Sequence, residues 1–158
     1  MFKKAILFLA VLLMVSSFAY AEEKFTVSGE VSFQYDGDIY ICLLTMEEFR
    51  DFNIPRHKLS QSPCRVIQLN TDLKKARKVS FTFDNVAKGT YCVFTYQDVN
   101  MNGEVDFAGL FFNEPWGTYK ETAHDKAIWG TVKFDLGSDI TGIKIRMYGG
   151  FEDTPFKW

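Results

Sequence analysis

The chain has 158 residues, a formal net charge of −2, 47% apolar and 16% aromatic residues, with phenylalanine alone counting 16. That is the size of one ordinary domain with ample volume for a packed core, and it excludes a disordered or low-complexity chain. The mild acidity argues against nucleic acid or an anionic membrane as a partner.

In chain order, Lys3 and Lys4 precede an apolar run from Ala5 to Val15, and Ala19-Tyr20-Ala21 has the small-x-small pattern of a signal peptidase site. The run is too short to span a bilayer comfortably, so residues 1–21 read as a signal peptide and residues 22–158 as a single exported domain, periplasmic or extracellular. Removing 21 of 158 residues leaves 137, and with two lysines gone the net charge becomes about −4.

From Phe25 to Tyr35 apolar and polar residues alternate, as in a half-buried antiparallel strand. Asp36-Gly37 is a hairpin signal, and Ile39–Leu44 is apolar on both faces, as a central strand requires. Thr45-Met46-Glu47-Glu48 fits a capping box, predicting a short helix over 46–52 that stops before Pro55. An irregular loop from Asn53 to Pro63 carries His57.

Further strands are expected at 65–69, 79–83, 90–97, 129–136 and 142–147. The basic run Lys74, Lys75, Arg77 and Lys78 reads as a solvated turn. Seven short strands and one short helix predict an all-β fold, an antiparallel β-sandwich. An outer-membrane barrel needs strands of about 9–11 alternating residues, longer than most of these.

Cys42, Cys64 and Cys92 allow one disulfide and leave one thiol over; spacing does not choose among the three pairings. His57 and His124, the only histidines, lie in polar loop-like surroundings, which gives a cysteine nucleophile no base.

The stretch that looks like a site is Asp98-Val99-Asn100-Met101-Asn102-Gly103-Glu104-Val105-Asp106. Oxygen side chains stand at positions 1, 3, 5 and 9 with glycine at 6, the first nine places of an EF-hand-type calcium loop. The expected ligands are Asp98, Asn100 and Asn102 through side chains, Glu104 through its carbonyl, and Asp106 directly or through water. Position 12, where an EF-hand places a bidentate glutamate, is Gly109; Glu114 is the nearest replacement. Such a site is weak, and calcium suits it better than a transition metal because it holds no histidine or cysteine. The competing reading is a metal-free turn, since Asn and Asp bond their own backbone and Asn102-Gly103 is itself a hairpin signal.

Just after the loop come Phe107, Leu110, Phe111, Phe112, Trp116 and Tyr119. Phe111, Phe112, Trp116 and Tyr119 are candidates for a surface that contacts a protein or glycan partner, set against their serving as a lid over the core. Glu104, Asp106, Glu114 and Glu121 supply carboxylates only in number, without the base, nucleophile or oxyanion pattern of an enzyme. A carbohydrate-active protein therefore ranks below a non-enzymatic domain that binds calcium or serves the cell envelope structurally.

Val79-Ser80-Phe81-Thr82-Phe83-Asp84-Asn85-Val86-Ala87-Lys88-Gly89-Thr90-Tyr91 resembles the strand, short loop, Gly-Thr-Tyr, strand unit of transthyretin-like β-sandwiches. With the Asp98–Asp106 loop, the Glu114–Gly117 segment and Trp129–Phe134 following in order, the chain from about Phe25 to Met147 resembles the exported bacterial family called domain of unknown function 2141. That family shows Asp-x-Asn-x-Asn-Gly-x-x-Asp at the loop, matched here at every fixed position. It favours Gly-x-Pro-x-Glu further on, where this chain has Phe112-Asn113-Glu114-Pro115. The resemblance implies a transthyretin-like sandwich and export, and lends no activity.

Overall fold

The computed structural model describes residues 23–54, 56–109, 111–120 and 127–149. The signal expected over 1–21, together with Leu110, Glu121 and His124, lies outside them. In order the chain forms β1 (Lys24–Ser32), β2 (Asp38–Leu44), α1 (Met46–Phe52), a 3-10 turn (Leu59–Gln61), β3 (Cys64–Ile67), α2 (Thr71–Ala76), β4 (Lys78–Ala87) and β5 (Gly89–Asp98). Then follow β6 (Phe107–Ala108), β7 (Phe111–Phe112), β8 (Trp116–Thr118), α3 (Trp129–Val132), β9 (Phe134–Leu136) and β10 (Ile140–Arg146).

One sheet has the order β10-β1-β4 and the other β3-β2-β5-β8, with β9 pairing the first half of β5. The sheets keep open edges instead of closing into a ring, and among the described residues no helix is long and apolar enough to cross a membrane. The fold is all-β and sandwich-like, as the alternation predicted. Two features differ from a purely antiparallel sandwich with one helix. β1 and β10 run parallel, joined in register from Gly29↔Ile143 to Ser32↔Arg146, and the described residues include three short α-helices.

The β2–β5 pair explains the layering. Along these strands alternate side chains point to opposite faces. Ile39, Ile41 and Val93 face the β10-β1-β4 sheet and join Val27, Val31, Val79, Phe81, Ile143 and Ile145 in one buried cluster. Cys42, Leu44, Cys92, Phe94 and Tyr96 face the other way, where α1 and the loops cover them with Phe49, Phe52, Leu59, Val105, Phe112 and Trp116. Within this second cluster the Phe94 ring lies 4.7 Å from Phe52, 5.5 Å from Phe112 and 5.8 Å from Trp116, the last stacked. This is why the 39–44 segment is apolar throughout.

Local signals place the helices. At α1 the Glu48 amide donates to Thr45 Oγ1, and the Thr45 amide donates to Glu48 Oε2, completing the capping box. The basic run of Lys74, Lys75, Arg77 and Lys78, expected as a solvated turn, begins inside helix α2, which starts where the Leu73 amide donates to Asn70 Oδ1. Its basic residues do face solvent: Lys74 and Arg77 pair with Asp36, and Lys78 with Glu30. Residues 129–132, expected as strand, form one helical turn instead. Trp129 packs 5.6 Å from Phe49 and Val132 is fully buried, so tertiary packing overrides the strand preference of this segment.

Cys42 and Cys64 lie opposite each other in the β2–β3 register and form the disulfide; Cys92 is the free thiol. Burial pushes the Cys92 thiol up to about 12, which keeps it protonated and unreactive. The crosslink spans 22 residues and fastens the end of the 53–63 loop to β2. A Cys42→Ala, Cys64→Ser double variant is expected to lose about 3 kcal/mol of stability in urea unfolding. In the native protein the Cys92 thiol should stay silent to a thiol reagent until the chain is unfolded.

Candidate functional site

The loop begins at the last residue of β5, and the β1–β2 turn fixes its base. Gly37 there has φ +145° and sits so close that a Cβ would collide with the Asp98 carbonyl. Gly103, at loop position 6, has φ +75°, the left-handed backbone that glycine adopts freely. The opposite limb is stitched to the 56–59 segment: Arg56 N–H donates to the Val105 carbonyl, Val105 N–H to the His57 carbonyl, and Leu59 N–H to the Gly103 carbonyl. Val105 is fully buried beneath it.

Side-chain oxygens hold the interior. Asp98, 2% exposed, accepts from the Asn102 amide at 3.1 Å and the Gly103 amide at 2.8 Å. Asn100 Oδ1 accepts from the Asn102 amide at 3.0 Å, and Asn102 Oδ1 from the Glu104 amide at 2.8 Å. Asp106 Oδ2 receives the side-chain amides of Asn100 at 2.6 Å and Asn102 at 2.9 Å. The side chains at positions 1, 3, 5 and 9 therefore converge. Glu104 forms an antiparallel bridge with Lys58, flanked by the Val105 and Gly103 bonds. In such a pair a residue's own N–H and C=O face away from the neighbouring chain. The Glu104 N–H points to Asn102, and its carbonyl faces the same interior side.

Glu114 sits under the loop as a strut. Its Oε1 accepts from the Val99 amide at 2.6 Å and the Asn100 amide at 3.1 Å, and its Oε2 accepts from Tyr96 Oη at 2.7 Å. Tyr96 Oη in turn accepts from the Asp106 amide at 2.8 Å, so one buried phenol ties the last residue of the loop to Glu114. Burial raises the Glu114 pKa above the ordinary value; the Tyr96 and backbone donors oppose this, and the charge of Asp98 adds to it. Burial also drives the Tyr96 phenol far upward, so it stays protonated and available to donate. Glu114 thus has three of its acceptor positions taken by the protein.

Among the described residues no three Asp, Glu, His or Cys side chains come together as a metal cage. An ion held here would rely on two aspartates, two asparagine oxygens and the Glu104 carbonyl, with Glu114 bracing the loop from below. Tyr96 was not legible as a site residue, although its position two before Asp98 puts both on one face of β5.

The four aromatics expected to form a partner surface are divided by the fold. Phe112 (7% exposed) and Trp116 (9%) belong to the core beneath the loop, and Tyr119 packs with Phe134 at 5.5 Å. Only Phe111 is well exposed, at 49%. A surface made of all four does not exist, because the β7 and β8 pairings turn two of them inward. The exposed apolar residues at the tip are instead Val99 and Met101, loop positions 2 and 4, which point outward because their neighbours point in. The alternation that turns the side chains of positions 1, 3, 5 and 9 inward also implied this. Elsewhere His57 Nε2 lies 2.7 Å from Ser62 Oγ, but among the described residues no carboxylate bonds its other ring nitrogen, so this pair lacks the orienting acid of a triad.

This is the architecture of a small all-β domain that presents one rigid polar loop from the end of a doubly buried strand pair. Residues 30–144 match the model of the family described as "Uncharacterized protein conserved in bacteria (DUF2141)", and the chain belongs to that family. No curated protein and no solved structure matches it.

Glu114→Ala removes three hydrogen bonds at once and strands two loop amides, and should cost about 3 kcal/mol in denaturant unfolding. The folded pKa of Glu114 lies above its unfolded value, so the folded protein holds this proton where the unfolded chain has released it. That contribution is full below about 4.5 and is lost as pH rises through the raised value. In EDTA, wild-type stability relative to Glu114→Gln should therefore decline on raising the pH through that window. A flat difference between the two would contradict the assignment.

Proposed function

We propose that this protein is an exported, non-enzymatic β-sandwich domain of the transthyretin-like kind, whose Asp98–Asp106 loop binds calcium with low affinity. On this reading the loop, with the ion in place, is a stiff tip that meets a protein or glycan partner through Val99, Met101 and Phe111. The observation that carries it is the convergence of the Asp98, Asn100, Asn102 and Asp106 side chains, with the Glu104 carbonyl facing the same interior. Those groups supply five oxygens, and water completes the six to eight that calcium takes. Asp98 supports the reading too: it is buried, and among the described residues no lysine or arginine pairs with it. Export is supported by the N-terminal pattern Lys3-Lys4, apolar run, Ala19-Tyr20-Ala21, and by the Cys42–Cys64 disulfide, which an oxidising compartment sustains.

A second reading has its own observation. Both Asp98 oxygens, Asn100 Oδ1 and Asn102 Oδ1 already accept backbone amides, so the loop closes on itself without an ion. It would then be a metal-free structural tip of an envelope-associated domain.

The two separate on thermal melting. With an affinity of about 10⁻⁴–10⁻³ M, calcium at ~2 mM stabilises the folded state by about 0.6–1.8 kcal/mol, raising the melting temperature a few degrees over EDTA. Magnesium should do less, and Asp106→Asn should abolish the calcium response while leaving the melt in EDTA within about 1 kcal/mol of wild type. An identical melt with and without calcium, or a response that survives Asp106→Asn, would decide for the metal-free tip.

A further inference from the structure

On the side of the sandwich away from β8 and β10, each sheet ends, among the described residues, in a strand with one edge unpaired. β4 closes the β10-β1-β4 sheet and β3 closes the other. Between them runs an open groove of about 520 Å³, lined by Arg65, Val66 and Ile67 of β3 and by Ser80, Phe81 and Thr82 of β4. Val66 is 49% exposed beside it. An unprotected edge of this length presents a row of unpaired backbone N–H and C=O groups that must meet water or another strand.

We propose that a second copy of this chain occupies this side, its β4 pairing antiparallel with β4 about a two-fold axis through Phe81. The strand sequence carries the argument. The regular part of β4 runs from Lys78 to Asp84, since Asn85 breaks the extended backbone with φ +60°. Antiparallel self-pairing with the greatest overlap centres that seven-residue run on Phe81. This one register sets Lys78 of each copy opposite Asp84 of the other, Val79 opposite Phe83, and Ser80 opposite Thr82. Charge complementarity thus coincides with maximal overlap. A shift of one residue would place every core-facing side chain against a solvent-facing one.

The faces agree as well. Lys78, Ser80, Thr82 and Asp84 are exposed, whereas Val79 and Phe81 are buried and Phe83 partly so. Pairing would continue the inter-sheet core across the axis and close the mouth of the groove over Phe81 and Val66. Arg65, whose guanidinium lies 5.3 Å from the centre of the Phe83 ring, already bridges the two edges and would sit at the rim. Lys78 holds Glu30 of its own chain at 2.9 Å, so its ammonium is poised along the same outer face. The contact is isologous, the form that a two-fold dimer requires.

Sedimentation velocity on the protein expressed with its own N-terminal segment should show a monomer–dimer equilibrium. Lys78→Asp sets an acid opposite Asp84 twice, and Asp84→Lys sets a base opposite Lys78 twice. Each variant alone should associate about tenfold more weakly. An equimolar mixture of the two restores both opposite-charge pairs, and heterodimer should reappear at wild-type strength. In the native protein, hydrogen exchange of the Val79–Phe83 amides should slow as concentration rises. A monomer at every concentration, a mixture that associates no better than its components, or β4 amides unprotected in a dimer would each overturn the proposal.

Discussion

The rest of the structure depends on burying the β2–β5 pair on both faces. A strand covered on one side can afford polar residues at alternate positions; one covered on both sides cannot, unless each polar group finds a partner. From Cys92 to Asp98 β5 comes close to meeting this demand, with Val93, Thr95 and Gln97 on one face and Cys92, Phe94, Tyr96 and Asp98 on the other, all buried, and Gln97 Oε1 left without a hydrogen-bond partner among the described residues. The polar members are accommodated individually. Thr95 Oγ1 donates to the Gly117 carbonyl at 3.1 Å, Gln97 Nε2 to the Tyr35 carbonyl at 2.6 Å, and Tyr96 joins Glu114. Each bond ties β5 to a different neighbour, so the strand is both the spine of the core and its connecting element.

That burial has a direct consequence for the loop. β5 ends with Asp98 still inside, so the chain leaves the sheet carrying a carboxylate that needs hydrogen bonds immediately. The loop supplies them by folding back, presenting the Asn102 and Gly103 amides to it. Glu114 then satisfies the Val99 and Asn100 amides from below. A buried acid with several donors is costly to break and stiff once made, because removing one partner strands the others. The loop is therefore rigid for reasons of desolvation, whatever it binds. A rigid loop at the end of a sandwich, with apolar Val99 and Met101 at its tip, is well placed to present a surface.

The two ends of the molecule are managed differently. On the loop side, the second sheet is covered by α1, the tethered 53–63 segment and an aromatic cluster, and the Cys42–Cys64 bond helps keep this cover in place. The cover in turn clamps the loop through the bonds to Arg56, His57 and Leu59. On the opposite side, β3 and β4 leave the sandwich open along an edge. Charged and hydroxyl side chains keep that edge soluble, and the same residues give it a self-complementary register.

Much was legible in the sequence because it rests on local physics. The period-two alternation of β1, the unbroken apolar run of β2 and the Thr45–Glu48 capping box each follow from burial or backbone chemistry within a few residues, and each matches an observed element. The 98–106 loop was legible for the same reason: its oxygens alternate, and Gly103 stands where φ is positive. What sequence left open depended on partners distant in the chain. The choice of Cys64 over Cys92 for Cys42 follows from the β2–β3 register. The helical turn at 129–132 follows from Phe49 waiting across the core. The parallel β1–β10 pair joins the two ends of the domain, and Glu114 braces the loop from below because Tyr96 and the Val99 and Asn100 amides donate to it. Periodicity reports which faces a segment hides; only the folded chain decides against what, because that choice is made by contacts between residues the sequence keeps far apart.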